Sequence, residues 1–204
     1  MDHSFSYSKT YRYFTHGDKM KSKKLLIVMH GYGHLAEYFL RKFHSSPSSY
    51  FIVAPEGPHR FYKQGYSGRV GASWMTKEAR EDDIKDNLNW LNALLHKVKS
   101  EKSYEEVSLL GFSQGGATAA RWYYDEPNKF DKLILWSSVF PPDITKPNLK
   151  MSNTNLYVVG SKDEFINEKM RKKEIEFYQN IGFKTHVYNG NHDIDSSMLS
   201  EILS

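Results

Sequence analysis

Short apolar runs alternate with longer segments of helical periodicity along this chain, and that order constrains its fold most strongly. Residues 24–29 end in five consecutive apolar residues, as a central strand buried on both faces requires. The segment 78–99 places its apolar residues at steps of three and four, which predicts one buried helical stripe: Ile84, Leu88, Leu91, Leu95 and Val98. The alternation predicts a mostly parallel sheet with helices on both faces.

Seven strands follow from this pattern, and we predict them at residues 7–15, 24–29, 49–54, 107–112, 132–136, 155–159 and 184–188. The first is expected at an edge of the sheet. We predict helices at residues 34–43, 78–99, 114–124, 165–180 and 193–203. Prolines at 55 and 58 end the third strand, so residues 55–75 are expected to form a long loop. A chain of 204 residues corresponds to one domain, which we expect to span residues 1–204.

The composition excludes several classes of protein. No Cys is present, which excludes a disulfide scaffold, a thiolate zinc site and a cysteine nucleophile. The net charge of +4 is small and the basic residues are interspersed with acids, so we expect a solvated surface and no nucleic-acid partner. Neither a signal-like segment nor a run of about 20 apolar residues is visible, so we expect a cytoplasmic protein without stable membrane insertion. The sequence leaves open whether the chain forms a homodimer.

The segment 109–117 reads Leu-Leu-Gly-Phe-Ser-Gln-Gly-Gly-Ala and lies between a predicted strand and a predicted helix. In this context, G-x-S-x-G is typical of a sharp turn that lifts the Ser113 hydroxyl above the sheet. Gly111 and Gly115 fit such a turn because side chains at these positions would collide with it. An ordinary glycine-rich turn, or one that binds an anion, is the alternative. The context favours Ser113 as a nucleophile.

A nucleophilic serine needs a base and an acid that orients the base, and in this arrangement both follow the serine along the chain. Asp163 comes just after a predicted strand and is the candidate acid, with Glu164 and the more distant Asp143 as competitors. His192 lies in the loop after the last predicted strand, whereas His186 lies within that strand. We therefore expect His192 to be the base.

Backbone N–H groups that stabilise an oxyanion are expected in the tight loop 29–33, which reads Met-His-Gly-Tyr-Gly. The N–H groups of Tyr32 and Gln114 are the natural pair, and the alternative is a simple turn that ends the strand. His30 is expected to brace this loop.

These motifs together resemble the phospholipase/carboxylesterase family of α/β-hydrolases, which includes bacterial carboxylesterases and acyl-protein thioesterases. The matching segments cover nearly the whole chain: H-G-x-G at 30–33, V-A-P-E-G-P at 53–58, S-W at 73–74, G-F-S-Q-G-G at 111–116, G-x-x-D-x-x-I at 160–166 and the late His192. The resemblance implies an α/β-hydrolase fold, a triad of Ser113, Asp163 and His192, and an oxyanion hole at Tyr32 and Gln114. No metal or cofactor is implied.

Two positions depart from the family's pattern. His34 stands where the family often has Asp, and Asn191 stands where it often has Gly before the base. These changes leave the chemistry intact and bear on the substrate. The connection 137–153 is short, so we expect a minimal lid.

We therefore expect a serine hydrolase that cleaves a carboxylic ester or thioester through an acyl-enzyme, with a small-molecule or acyl ester as substrate. The alternatives are a peptidase or lactone hydrolase on the same scaffold, or a non-catalytic binding protein that retains the fold.

The loops after the parallel strands are expected to line the substrate pocket. The aromatic candidates are Phe61, Tyr66, Trp74 and Phe140. Their alternative role is to pack the loops onto the core. Three basic residues of the same long loop are compatible with an anionic leaving group: Arg60, Lys63 and Arg69.

Overall fold

Nine β-strands and five α-helices are found in the computed structural model, which describes residues 3–144 and 154–204. The strands are β1 (Tyr13–His16), β2 (Lys24–Met29), β3 (Tyr50–Pro55), β4 (His59–Gln64), β5 (Ser67–Ser73), β6 (Glu106–Phe112), β7 (Lys132–Trp136), β8 (Leu156–Gly160) and β9 (Lys184–Tyr188). The helices are α1 (Ala36–Leu40), α2 (Arg80–Lys99), α3 (Gln114–Asp125), α4 (Glu168–Asn180) and α5 (Ser196–Leu203).

Seven of these strands form the central sheet, in the order β1-β3-β2-β6-β7-β8-β9. Every neighbouring pair is parallel except β1 with β3, which is antiparallel at one edge. The predicted, mostly parallel sheet of about seven strands is therefore confirmed. The edge strand is shorter than predicted, because its pairing with β3 begins only at Tyr13.

Strand side chains alternate between two hydrophobic cores, one on each face of the sheet. In β2, Leu25 and Ile27 belong to the core formed with α2, α3 and α4. Leu26 and Val28 belong to the core formed with α1 and α5. Burial on both faces explains why the central strands are continuous apolar runs instead of alternating ones.

Residues 55–75 differ from the sequence prediction, because they hold a β-hairpin where a long loop was expected. Strands β4 and β5 pair with each other in an antiparallel, two-stranded sheet separate from the central one. β4 is mostly exposed, and β5 is exposed over its first three residues and buried only at its end, so neither has a long apolar run that would have revealed it. The hairpin is tied to the chain that follows β2 by a bridge between His34 and Ala72.

The carboxyl ends of the parallel strands lie along one edge of the sheet, which is distinct from the side bounded by the outermost strand β1. The loops that follow β2, β6, β8 and β9 meet at this edge. This edge holds all of the candidate triad residues. Of the connection for which a minimal lid was expected, residues 145–153 lie outside the described residues. In the described residues, no helix combines the length and apolar character needed to cross a bilayer.

Candidate active site

Ser113 lies at the junction between β6 and α3 in a strained backbone conformation, with φ of 53° and ψ of −121°. This region of φ and ψ is sparsely populated by residues other than glycine. The surrounding chain holds it there, since the Ser113 N–H donates to Trp136 O at 2.9 Å. A Cβ at Gly111 would lie 2.5 Å from Gly116 Cα, and one at Gly115 would lie 2.5 Å from Met29 O. Glycine at these two positions therefore lets the turn close.

Asp163 and His192 form a hydrogen-bonded pair at the same edge of the sheet. His192 Nδ1 lies 2.7 Å from Asp163 Oδ2, and the Asp163 side chain is fully buried. The other carboxylate oxygen, Oδ1, accepts hydrogen bonds from the N–H groups of Phe165 at 3.0 Å and Ile166 at 3.2 Å. Because both oxygens are engaged, the carboxylate is fixed in position and turns His192 Nε2 away from itself.

The His192 ring lies between two aromatic side chains. Its centroid is 4.9 Å from that of Phe112, the residue directly before Ser113, and 4.7 Å from that of Phe165. Phe112 thus links His192 to the strained turn by direct packing. The contact with Phe165 has no signal in the sequence, because Phe165 and His192 are distant along the chain.

Among the described residues, neither the competing acids nor the competing histidine forms a hydrogen bond with the His192 ring. Glu164 Oε2 accepts from the backbone N–H of His192 at 3.1 Å, not from its ring. Asp143 forms ion pairs with Arg121 and Arg80, and the hydrogen bonds from Arg121 lower the pKa of Asp143 to about 2. His186 lies within β9. In the described part of the chain, no three or more His, Asp or Glu side chains converge to hold a metal ion.

The loop after β2 packs directly against Ser113. A Cβ at Gly31 would lie 3.2 Å from Ser113 Cβ, so the two segments are in close contact. Among the described residues, no acceptor pairs with the backbone N–H of Tyr32 or with that of Gln114. Two free N–H groups beside the serine are what stabilisation of an oxyanion requires.

His30 braces this loop from inside. Its Nε2 accepts from the Gly57 N–H at 2.9 Å, so the ring proton is on Nδ1, which donates to Gly31 O at 2.8 Å. Burial lowers the pKa of His30 to about 4, so the ring is neutral at pH 7. The backbone O of His30 also accepts from Trp74 Nε1 at 2.8 Å. A neutral histidine therefore connects three loops.

The side chain of Gln114 has a structural role that the sequence analysis did not identify. Its Oε1 accepts from the Trp74 N–H at 3.1 Å, and its Nε2 donates to Met75 O at 2.9 Å. This amide therefore fastens the chain after β5 to the start of α3. Both partners lie in motifs that the sequence shows, G-F-S-Q-G-G at 111–116 and S-W at 73–74. Their contact could not be predicted, because they lie 40 positions apart.

The four aromatic pocket candidates lie in different environments. Phe61 stacks on Tyr32 with ring centroids 5.1 Å apart, and Phe140 lines a groove of about 390 Å³ that also includes Gln114. Tyr66 is 97% exposed at the turn between β4 and β5. Trp74 is fully buried and stacks on Trp90, so it supports the loop instead of lining a binding groove.

Known proteins were compared with the chain in sequence and in structure. A family model described as Phospholipase/Carboxylesterase matches residues 13–204. Acyl-protein thioesterase 1 homolog 2 of Dictyostelium discoideum is 26% identical over 142 residues, 64% of this chain and 64% of the relative. A protein of Oryza sativa subsp. japonica named "Probable 1-acylglycerol-3-phosphate O-acyltransferase" is 25% identical over 118 residues, 58% of this chain and 26% of the relative. The chain thus spans less than two thirds of either relative.

A solved structure gives the same fold at lower identity. The crystal structure of Zea mays acyl-protein thioesterase 2 superposes with a TM-score of 0.68 at 17% identity, over 95% of this chain and 99% of the other. The likeness at this identity is one of fold, and it confirms the predicted α/β-hydrolase fold.

Proposed function

Because the chain belongs to the phospholipase/carboxylesterase family, we propose that it is a serine hydrolase that cleaves carboxylic esters or thioesters through an acyl-enzyme. In this proposal Ser113 is the nucleophile, His192 the base and Asp163 the acid that orients it. The observation that carries the proposal is the 2.7 Å contact of His192 Nδ1 with Asp163, next to the strained turn at Ser113.

The proposed reaction begins with the Asp163 carboxylate, which holds the proton of His192 on Nδ1 and leaves Nε2 free to accept another. His192 Nε2 takes the Ser113 proton as the hydroxyl oxygen attacks the carbonyl carbon. The N–H groups of Tyr32 and Gln114 donate to the oxygen that becomes negative in the tetrahedral intermediate.

Collapse of that intermediate breaks the bond to the alcohol or thiol, and His192 gives its proton to the leaving group. Water then attacks the acyl-enzyme by the same steps, which releases the acid and restores Ser113. No step of this sequence calls on a group from outside the chain except water.

The groove beside Gln114 is the proposed site of the acyl group. Most of its exposed wall is apolar, from Met75, Val139, Phe140, Pro141 and Pro142. Three basic residues also line it: Lys77, and Arg80 and Arg121, which pair with Asp143. A volume of about 390 Å³ suits a short to medium chain. Each methylene that becomes buried contributes about 0.8 kcal/mol, which is almost fourfold in kcat/KM when it is fully realised in the transition state.

The first test is covalent labelling with a fluorophosphonate, together with turnover of 4-nitrophenyl butyrate. Ser113→Ala should lose the label and about 10⁶-fold in kcat. His192→Ala should lose a comparable factor. His186→Ala is the matched control, because it removes a histidine from the neighbouring strand, and it should remain close to wild type. Near-normal turnover by Ser113→Ala, or a reversed order of the two histidine variants, would contradict the proposal.

A second measurement addresses the substrate. With 4-nitrophenyl esters from C2 to C12, kcat/KM should rise to a maximum near C4 to C8, and a matched acyl thioester gives the preference between ester and thioester. A steady fall from acetate would show that the groove does not hold the acyl chain.

A further inference from the structure

A second cavity, of about 810 Å³, is lined in part by the loop that follows β2. It opens beside Gly33 and His34, and the tips of β4 and β5 form its far wall. Three cationic side chains line it: Lys42, Lys63 and Arg69. None of the described residues that line this cavity is acidic. It is therefore a basic cavity.

The hairpin that carries two of these cations is fixed to the oxyanion loop, which is the segment that follows β2 and carries the Tyr32 N–H. The Gly33 N–H donates to Ala72 O at 2.9 Å, and the Ala72 N–H donates to His34 O at 3.0 Å. The stacking of Phe61 on Tyr32 adds a side-chain contact between the same segments. The wall of the basic cavity is therefore connected to the proposed nucleophile through the loop after β2, which packs on Ser113.

The pairing of β4 with β5 is irregular where the cations lie. Between the pairs Tyr62–Val70 and Gln64–Ser67, Lys63 alone faces two residues, Gly68 and Arg69. Such a bulge redirects side chains, and bulges are common beside binding sites. It brings an ammonium group over the oxyanion loop, since a Cβ on Gly33 would lie 3.7 Å from Lys63 Nζ.

The charges of Lys63 and Arg69 are not compensated. In residues 3–144 and 154–204, neither side chain forms an ion pair, although like charges on facing strands repel each other. Arg60, on the same strand as Lys63, instead pairs with Glu56 at 3.3 Å. Within the described residues, Lys63 and Arg69 are thus unpaired cations on this wall, while Arg60 of the same hairpin is neutralised.

The remaining polar groups of the basic cavity are less available. Lys42 forms an ion pair with Asp193 at 2.7 Å. Burial, followed by the charges of Lys42 and Lys63, lowers the pKa of His34, so this ring is neutral at pH 7. An anion in the cavity would therefore meet mainly Lys63 and Arg69.

The basic cavity adjoins residues that pack around His192. The ring of Phe112 stacks on His34 at 5.8 Å and packs on His192 at 4.9 Å, so these two histidines flank one side chain. Lys42 pairs with the residue directly after His192. Since His192 must give a proton to the leaving group, that portion of the substrate has to lie near this side of the site.

We infer that the basic cavity binds an anionic group, a carboxylate or phosphate, on the alcohol or thiol portion of the substrate, through Lys63 and Arg69. This inference rests on the proposed serine hydrolase function and adds the class of leaving group to it. The acyl chain occupies the apolar groove beside Gln114, and the two cavities divide the substrate between them.

The test compares three esters with the same acyl group: 4-carbamoylphenyl butyrate, which is neutral, and 4-carboxyphenyl and 4-phosphonophenyl butyrate, which are anionic. The measured quantity is the ratio of kcat/KM for each anionic ester to that for the neutral one. The double variant Lys63→Met/Arg69→Met is compared with wild type, so differences in the intrinsic reactivity of the esters cancel.

Lys97→Met/Lys99→Met is the matched control. It removes the same charge at the C-terminal end of α2, which leads into the start of β6 and so lies at the opposite edge of the sheet. An exposed ion pair contributes up to about fivefold in an equilibrium, so the two cations together should favour an anionic ester by about tenfold. The ratio should fall about tenfold in Lys63→Met/Arg69→Met and stay unchanged in the control.

Four further outcomes are decisive. The relative size of the carboxylate and phosphonate ratios identifies the headgroup, and 0.5 M NaCl should reduce both. A ratio that does not change in Lys63→Met/Arg69→Met, while the neutral ester is hydrolysed normally, overturns the inference and leaves the proposed function intact. A preference for an anionic acyl group, measured with methyl hydrogen adipate against methyl adipamate, overturns the assignment to the leaving group.

If wild type hydrolyses none of these esters, the proposed function fails, and binding then decides the inference. Ligand-observed NMR with 4-hydroxybenzoate and 4-hydroxybenzamide measures the affinity of the leaving groups themselves. Tighter binding of the anion that is lost in Lys63→Met/Arg69→Met sustains the basic cavity as an anion site. Equal binding of the two compounds overturns it.

Discussion

Replacement of Asp163 by Asn removes the negative charge of this side chain and keeps its shape and position. In the Asn variant, one amide oxygen can still accept from the backbone N–H groups of Phe165 and Ile166, as Oδ1 does in wild type. The amide NH₂ then takes the place of Oδ2, 2.7 Å from His192 Nδ1. Because an NH₂ group donates, it stabilises the tautomer with the proton on Nε2.

A histidine protonated on Nε2 cannot accept the Ser113 proton, so the loss should fall on kcat. We expect kcat to fall by about 10³ to 10⁴-fold, a barrier increase of about 4 to 5.5 kcal/mol. The free energy of unfolding should fall by only about 1 to 2 kcal/mol, since one charge-assisted hydrogen bond is lost and the backbone acceptor is kept. Turnover of 4-nitrophenyl butyrate and urea unfolding measure the two effects separately.

Glu164→Gln is the matched control, because it removes the same charge one residue further along. Its amide oxygen can still accept from the His192 N–H, as Oε2 does at 3.1 Å, so kcat should stay within about threefold of wild type. An Asp163→Asn variant that keeps more than a tenth of its kcat, or a Glu164→Gln variant that is equally impaired, would refute this account of the acid.

Three other predictions follow from the loops around the site. Burial lowers the pKa of His30 from 6.5 to about 4, so its contribution to stability is complete above pH 6.5 and is lost as the pH falls to 4. The pKa difference of about 2.5 corresponds to about 3 kcal/mol, and urea unfolding at pH 7 and at pH 4 should show a smaller pH dependence in His30→Gln. Gly160→Ala places a Cβ 2.3 Å from Gly190 O, so the loop before His192 must move; we expect a loss of about 1 to 3 kcal/mol in urea unfolding and at least tenfold in kcat. Gln114→Leu leaves the Trp74 N–H without its acceptor, and its thermal midpoint and kcat should both fall, which calorimetry and ester turnover measure.

Local patterns in the sequence were sufficient to predict the elements that position the candidate triad. The apolar run of β2 and the apolar stripe of α2 follow from burial on one or two faces, which needs only neighbouring residues. The G-x-S-x-G motif is equally local, because the glycines two residues before and after Ser113 permit the sharp turn. The structure accordingly has these elements at the predicted positions, with ends that differ by a few residues.

The parts that the sequence did not predict depend on contacts between distant segments. The β4–β5 hairpin is stabilised by hydrogen bonds to Gly33 and His34, which no periodicity within residues 55–75 could indicate. Trp74 looked like a pocket residue because a large aromatic in a loop fits either a binding site or the core. Its hydrogen bond to His30 O, 44 positions away, decides for the core.

In the proposed mechanism, the strained backbone of Ser113 sets catalysis and stability against each other at one residue. The positive φ of Ser113 lowers the stability of the folded state by about 1 to 3 kcal/mol, and glycine would adopt the same φ without that loss. Glycine would also remove the only hydroxyl proposed to attack the substrate. In the proposed mechanism, a more stable but inactive protein therefore lies a single substitution away from this chain.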